Sequence, residues 1–458
     1  MTSSVIVPLR TESSLTRPAS NSHLDLVCLY GVVSLVLFAP LAFGAVESWS
    51  ISIMEVGAAM LFALWGGRQV ICGELEIRSS PLFGPMLFFG ALILWQVVSG
   101  HTAYRAATFS AALLYCAYAL LAFLAVQCLR RTSQLKTLAW IFSAYGFAIA
   151  GFALVQGIAG NGKLYWLRVP QSNGWIYGPY VNHNHYAGLM EMLTPIPLVI
   201  SLMGGISGRS RALALSAAAV MASTIFLSGS RGGMAAFTIQ IVLLATFLLK
   251  RRKNWTAPFA LTGFLALSVI LLVWLGGGDL AERLTRAHNI TPTELSGDTR
   301  LTIDCDAIKI FVQRPLMGWG LGVFGVIYPS YSSLSTNLKV GMAHNDYLQL
   351  LVETGAVGFI IALWFLVALF RSALRKLNHL QSSTNAAVTL AALLGVSGIL
   401  VHSFVDFNLQ IPANAAMFYV LCVIAAMKPC ASRNRGPHDV SVARKRARIF
   451  PGHDFEVI

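Results

Sequence analysis

Residues 347–370 read YLQLLVETGAVGFIIALWFLVALF, with Glu353 the one charged side chain, and Arg371, Arg375 and Lys376 follow at once. A helix needs roughly 20 apolar residues to cross the hydrocarbon core of a bilayer. This stretch therefore predicts a transmembrane helix with a basic cluster at its end. Eleven further runs have the same character: 26–44, 50–67, 82–98, 106–128, 137–158, 186–203, 212–228, 232–249, 256–275, 385–405 and 411–427. Runs 50–67, 82–98 and 212–228 are short or rich in Gly, Ala and Ser. Alternating segments of about ten residues, the mark of a transmembrane barrel, are absent. The expected fold class is all-α: a polytopic integral membrane helix bundle of about 12 transmembrane helices with a large loop on the outer side.

Composition agrees with that reading. Of 458 residues 56% are hydrophobic and 11% charged, and the mean hydropathy is +0.67. Soluble domains carry about 25% charged residues, so an ordinary cytosolic enzyme and a disordered or fibrous chain are both excluded. The net charge of +14 could suit a nucleic-acid binder. The basic residues, however, stand in short clusters between apolar runs, as membrane topology requires. With the N-terminus inside, alternate loops carry Arg68 and Arg78; Arg130, Arg131 and Lys136; Arg209 and Arg211; Lys250 to Lys253; and the cluster after residue 370. Arg10, Arg17 and seven basic residues from Lys428 onward join them, so about 23 of the 33 fall on the cytoplasmic side. Both termini are then cytoplasmic. The organisation expected is a disordered cytoplasmic N-terminus (1–25), helices 1–9 (26–275), a large outer loop (276–346), helices 10–12 (347–427) and a basic cytoplasmic tail (428–458). The first apolar run is long for a signal-peptide core and reads as an uncleaved helix.

Seven cysteines without a CxxC pair, of which only Cys305 falls in an outside loop, predict neither a disulfide framework nor a zinc framework. No internal repeat is visible. The two longest outside loops, about 159–185 and 276–346, carry the candidate chemistry. In the second, Gly276–Gly278, Pro292 and Gly297 signal turns, and Thr299 to Gln313 predicts a helix. Aromatic and apolar residues throughout predict that this loop folds over the membrane face.

Four segments contain unusual polar groups: YGPYVNHNHYAGLM (177–190), SGSRGGMAAF (228–237), GDTRLTIDCDAIKIFVQRPLMGWGLGVF (297–324) and AHNDYLQLLVETGAVGF (343–359). Arg231 stands at the outer start of an apolar run. Its guanidinium could bind a diphosphate through paired N–H donors, with glycines that let the anion approach, or it could snorkel to lipid phosphates. Arg300 could be a second anion clamp or a solvated helix-start residue. Arg314, before Pro315, reads first as a charge at a helix C-terminus. His344 could be a general base at the membrane surface or an interfacial cap, with Asn345 and Asp346 as caps or supports of the ring. Asn184 and His185, within Asn-His-Asn-His, could line a substrate site. A zinc site lacks a third ligand at a recognisable spacing, so no metal is expected. Residues 320–325 match G-x-G-x-x-G but follow a helix rather than a strand, so no dinucleotide cofactor is implied. Glu55, Glu191, Glu353 and Asp406 lie in or near spans, where acids are costly. His402 and Asp406, four apart, are expected on one helix face. They keep open a proton-coupled transporter, or a polysaccharide or lipid flippase, although such folds usually contain repeats.

Taken together, these motifs resemble the O-antigen ligase and polysaccharide polymerase superfamily, bacterial integral-membrane transferases of lipid-diphosphate-linked glycans. The resemblance runs from PLAFGAVESWS (40–50) to VHSFVDFNLQIPANAAMF (401–418) and is weakest in the tails. It implies a glycosyltransferase in the bacterial inner membrane with its active site facing the periplasm and the loop 276–346 as its catalytic loop. Two arginines that can replace a cation at the diphosphate predict metal independence, and the lack of a carboxylate pair in the outer loops predicts direct, inverting displacement. The resemblance also implies an undecaprenyl diphosphate-linked glycan donor and, as acceptor, lipid A-core, a growing glycan or a protein. A ligase, an exopolysaccharide or O-antigen polymerase and a protein O-oligosaccharyltransferase share the motifs. By resemblance His344 is the catalytic base, Arg231 and Arg300 bind the diphosphate, and Asn184, His185, Asn345 and Asp346 bind substrate or support those that do. No cofactor and no nucleic-acid partner is implied; the remaining partners are membrane lipids.

Overall fold

The computed structural model describes residues 20–73, 77–169, 176–251, 256–286, 297–334, 340–379 and 383–427. The segment 1–19, Arg252, Lys253, Pro292 and the basic tail 428–458 lie outside the described residues. The described chain is all-α. Every apolar run falls on a helix: α1 (Ser20–Leu41), α2 (Ser48–Cys72), α3 (Phe83–Val98), α4 (Arg105–Cys128), α5 (Thr132–Ile158), the pair α6 (His183–Leu193) and α7 (Pro195–Met203), α8 (Gly208–Leu227), α9 (Arg231–Arg251) and α10 (Thr256–Arg286). After the loop helices α11 (Gly297–Gln313) and α12 (Phe324–Ile327) come α13 (Asp346–His379), α14 (Ser383–His402) and α15 (Pro412–Ala426). Among the described residues nine spans, α6 and α7 counted as one, are long and apolar enough to cross a membrane. Shorter apolar helices lie at Phe83–Val98, Phe259–Leu275 and Pro412–Ala426.

Several expectations move. Helix α1 begins at Ser20 rather than after residue 25, and buried Asp25 pairs with Arg68 of α2. Gly276–Gly278 do not end α10, which continues to Arg286. Glycine in a helix costs about 1 kcal/mol relative to alanine but does not remove a backbone donor. Helix α14 stops at His402, so His402 and Asp406 do not share a helix face.

The helix ends sort into two groups. At one end Asp25 meets Arg68 and Arg130, Arg78 donates to the Val126 and Leu129 carbonyls, and Lys376 donates to the Ile424 carbonyl. At the other, Ala413 N–H donates to the Gly44 carbonyl, Ala103 N–H to the Trp319 carbonyl, and Ser230 faces His402. The centre is built from the α6–α7 pair, 94% buried over its span window, and α14; α2, at 22%, lies outside. Gly395 lets α14 approach α6 closely, since a Cβ there would lie 2.6 Å from the Met192 carbonyl oxygen.

Breaks in buried helices are costly, because no water replaces a missing backbone partner. Pro195 lacks an N–H and leaves the Glu191 carbonyl without its helical donor. Gln240 of α9 supplies one from its side chain at 3.0 Å. Helix α13, which the sequence presents as continuous, breaks at Gly355 (φ 65°, ψ −170°). The loop from Pro315 to Gly320 closes the gap. Ala356 and Val357 N–H donate to the Pro315 and Leu316 carbonyls, and Trp319 and Gly320 N–H donate to those of Val352 and Glu353. Gln96 of α3, fully buried, bonds both sides through the Met317 and Glu353 carbonyls. The outer loop is thereby stitched into a span. Beside it, Ile303, Ala307, Ile310, Phe324, Tyr328 and Val352 form a core of their own.

Candidate active site

The turn 403–407 after α14 is where the sequence-distant polar groups meet. Asp406 is fully buried, and its Oδ1 lies 3.5 Å from His344 Nδ1 and 3.9 Å from His185 Nε2. These are ion-pair distances rather than formed hydrogen bonds; the backbone N–H of Phe407 donates to the same oxygen at 2.8 Å. The Phe407 ring stands edge-on to both imidazoles, with centroids 4.7 Å from each. Burial would raise the Asp406 carboxyl, but the neighbouring His344 and His185 rings and the Arg300 guanidinium outweigh it and hold the carboxyl below the ordinary carboxylate range.

The position of His344 is imposed by its neighbours. Its backbone is left-handed (φ 55°), a region uncommon outside glycine. The residues on either side are tied down. Ala343 N–H donates to the Gln349 side chain, and Asp346 N–H donates to the Ser403 carbonyl. Asn345 caps α13, its Oδ1 accepting from Tyr347 and Leu348 N–H at 3.1 and 3.2 Å. The buried Asp346 carboxylate accepts from Ser403 Oγ at 2.7 Å, Leu409 N–H at 3.0 Å and Gln410 Nε2 at 3.3 Å. Asp346 thus fastens the start of α13 to the turn that carries Asp406.

Arg300 reaches the same turn from α11, with Nη1 donating to the Val405 carbonyl at 2.8 Å. Arg231 is the first residue of α9, its side chain exposed. Ser230 Oγ caps that helix by accepting from Gly233 N–H at 3.1 Å. The glycines beside Arg231 serve packing. A Cβ at Gly232 would lie 2.6 Å from His402 Cδ2 and 2.8 Å from Val405 Cγ2, and one at Gly233 would lie 2.8 Å from Ala187 Cβ. The expectation that they open the backbone to an anion is corrected accordingly. The 402–405 segment thus meets Arg300 at the Val405 carbonyl and Gly232, the neighbour of Arg231, at His402 and Val405.

Asn182 caps α6, its side chain accepting from Asn184 N–H at 2.8 Å. Asn184 and His185 are both buried, and of the two His185 is the one within ion-pair distance of Asp406. Arg314 lies over the Trp319 ring, 4.1 Å from its centroid, so it braces the loop as well as ending α11. Glu353 accepts from Gly322 N–H at 2.8 Å and Phe324 N–H at 3.2 Å. The G-x-G-x-x-G stretch is thus a turn held by a carboxylate, with Gly320 and Gly322 at positive φ.

Sequence reasoning missed the hub role of Asp406 and the Ser230–His402–Glu191 chain behind Arg231. In that chain Glu191 Oε1 lies 2.8 Å from His402 Nδ1, and Ser230 Oγ lies 3.5 Å from His402 Nε2, all three residues buried. The signal was present: VHSFVDF (401–407) puts His, Ser, Asp and Phe at the end of an apolar run. What it lacked was any indication of which distant groups they face.

No curated protein matches the chain. Residues 216–363, about a third of its length, match the family model described as O-antigen ligase. The matched segment holds Arg231, Arg300, Arg314, His344 and Glu353, while His185 and Asp406 lie on either side of it. With the motifs and the helical bundle, this match supports placing the chain in the O-antigen ligase and polysaccharide polymerase superfamily.

Proposed function

We propose that the protein transfers a glycan from undecaprenyl diphosphate to an acceptor hydroxyl, at the end of the bundle that faces the periplasm. The observation that carries this reading is the Asp406 carboxylate beside His344 Nδ1, with Arg300 bonded to the same turn. A carboxylate on that side favours the tautomer with the proton on Nδ1, which leaves Nε2 as the proton acceptor. In the proposed step Nε2 takes the acceptor's hydroxyl proton, and the freed oxygen attacks the anomeric carbon. The bond from that carbon to the diphosphate breaks, and its electron pair leaves with the undecaprenyl diphosphate. Arg231, Arg300 and the N-terminus of α9 offset the growing negative charge. Direct attack inverts the anomeric centre. Asn345 and Asp346 act by holding His344 in place, and two arginines at the diphosphate make a divalent metal unnecessary. The acceptor is lipid A-core in this reading; a polymerase or a protein glycosyltransferase would use the same groups. Glu191 Oε1 and His402 Nδ1 pair with each other at 2.8 Å, which favours a supporting role over a proton path in a transporter.

General base catalysis is worth about 10²–10⁴-fold. His344→Ala should lower transfer by that order in proteoliposomes while binding of the lipid-linked donor, measured by co-sedimentation, survives. Transfer at the wild-type rate would remove His344 from the chemistry, and a retained anomeric configuration in the product would remove direct displacement.

A further inference from the structure

Beside the proposed site lies a cavity of about 410 Å³. It is walled by the α1–α2 turn, the α5–α6 loop, the start of α6 and the turn after α14. Phe43, Glu47, Arg168, Asn182, His185 and Phe407 are the walls that matter. Its volume lies in the range of small-molecule sites, roughly 300–1,000 Å³. Two of its walls belong to the cluster already described. His185 is within ion-pair distance of Asp406, and Phe407, which lines the cavity, stands against the His344 ring.

The lining has a definite chemistry. Arg168 Nη2 bonds Glu47 Oε1 at 2.7 Å, with each side chain about one-third exposed, and the guanidinium lies over the Phe43 ring at 4.7 Å. The arginine is thus matched by a carboxylate, so this wall offers donors and acceptors without the excess positive charge a diphosphate requires. Aromatic walls such as Phe407, beside a neutral donor–acceptor pair and the Asn182 amide, suit a ring with apolar C–H faces and several hydroxyls.

Backbone strain supplies a second, independent observation. Among the described residues five non-glycine residues have positive φ: Phe43, Ala45, Tyr165, Trp166 and His344. The first four lie in the two loops that wall this cavity. Such conformations cost about 1–3 kcal/mol each and gather at functional sites. Here they are held by bonds such as that from Tyr165 Oη to the Leu41 carbonyl at 2.7 Å.

We propose that this cavity is a subsite for a neutral pyranose residue, and that the sugar is the terminal residue of the acceptor, presented to His344 past Phe407. The acceptor assignment rests on the reading of His344 as the base; binding of a pyranose does not. The same chemistry could come from the first sugar of the donor, and the experiment separates the two sources.

The test uses the full-length protein in detergent and two variants. Val46→Trp fills the cavity from a half-exposed wall position, and Glu47→Gln removes the charge that balances Arg168. Saturation-transfer NMR with methyl glycosides of glucose, galactose and N-acetylglucosamine, in the absence of donor, should show transfer to at least one with the wild type. Both variants should lose most of that signal while eluting as the wild type does on size exclusion. In a transfer assay the acceptor KM should rise about tenfold, equivalent to about 1.4 kcal/mol, with kcat and donor KM unchanged. No saturation transfer to the wild type, or equal transfer to both variants, overturns the subsite. A rise in donor KM instead of acceptor KM overturns the acceptor assignment. Saccharide binding that is lost in the variants, alongside a fully active His344→Ala, would leave the subsite standing and the general-base reading refuted.

Discussion

Asp406 shows how one buried carboxylate can organise groups far apart in sequence. It is fully buried yet held below the ordinary carboxylate range by two imidazoles and a guanidinium. In the proposed dyad this carboxylate orients His344, keeping a proton on Nδ1 and leaving Nε2 free to accept. Replacing Asp406 by Asn keeps the volume and removes the charge. We expect transfer to fall by roughly 10²-fold or more, within the range for a general base and its partner. The fall should lie in kcat, with binding of the lipid-linked donor unchanged. A purely structural Asp406 would change protein yield and leave the rate per folded molecule where it was, and a wild-type kcat in a well-folded variant would refute the proposed dyad.

At the scale of elements, the broken α13 is the feature on which the site rests. Its N-terminal half carries Asp346 and Glu353, with Asn345 as its cap, and the Pro315–Gly320 loop plugs into the break at Gly355. A Cβ at Gly355 would lie 2.6 Å from Met317 N, and φ 65° with ψ −170° is a conformation L residues rarely adopt. Gly355→Ala should destabilise the protein by about 1–3 kcal/mol, read as a lower melting temperature in detergent, and should lower activity as the loop is displaced. Gly151, inside α5, is the control, since a Cβ added there would meet no other atom within 4 Å. Gly151→Ala should be neutral or stabilising by up to about 1 kcal/mol. Equal melting temperatures for the wild type and Gly355→Ala would show that the break tolerates a side chain and that the stitching contributes little.

At the scale of the whole molecule, Arg300 of α11 bonds the Val405 carbonyl, and Gly232, beside Arg231 at the start of α9, packs against His402 and Val405. A shared diphosphate is the proposed ligand of the two arginines. Lysine keeps the charge of each but loses the planar fork that suits phosphate oxygens. Arg231→Lys and Arg300→Lys should each lose most transfer activity with normal membrane levels of protein. If both lysine variants transfer at full rate, the clamp is wrong and interfacial snorkelling accounts for Arg231.

The amino-acid sequence by itself determined the all-α class, the positions of the apolar helices and the segments that hold the polar groups. These follow from local composition: about 20 apolar residues make a span whatever surrounds them, and a short polar motif is visible wherever it stands. Helix continuity was legible only in part. The break at Gly355 needs a loop some 40 residues upstream in the chain to satisfy it, and the end of α14 at His402 is set by the turn that receives Asp346 and Arg300. Only the tertiary structure decided that Asp406 lies between His344 and His185, that the Arg231 glycines serve packing, and that the cavity at Phe43 opens beside them. Those facts depend on which helices touch, and side-chain partners separated by about 60 to 220 residues leave no periodicity in a single chain by which they could be paired.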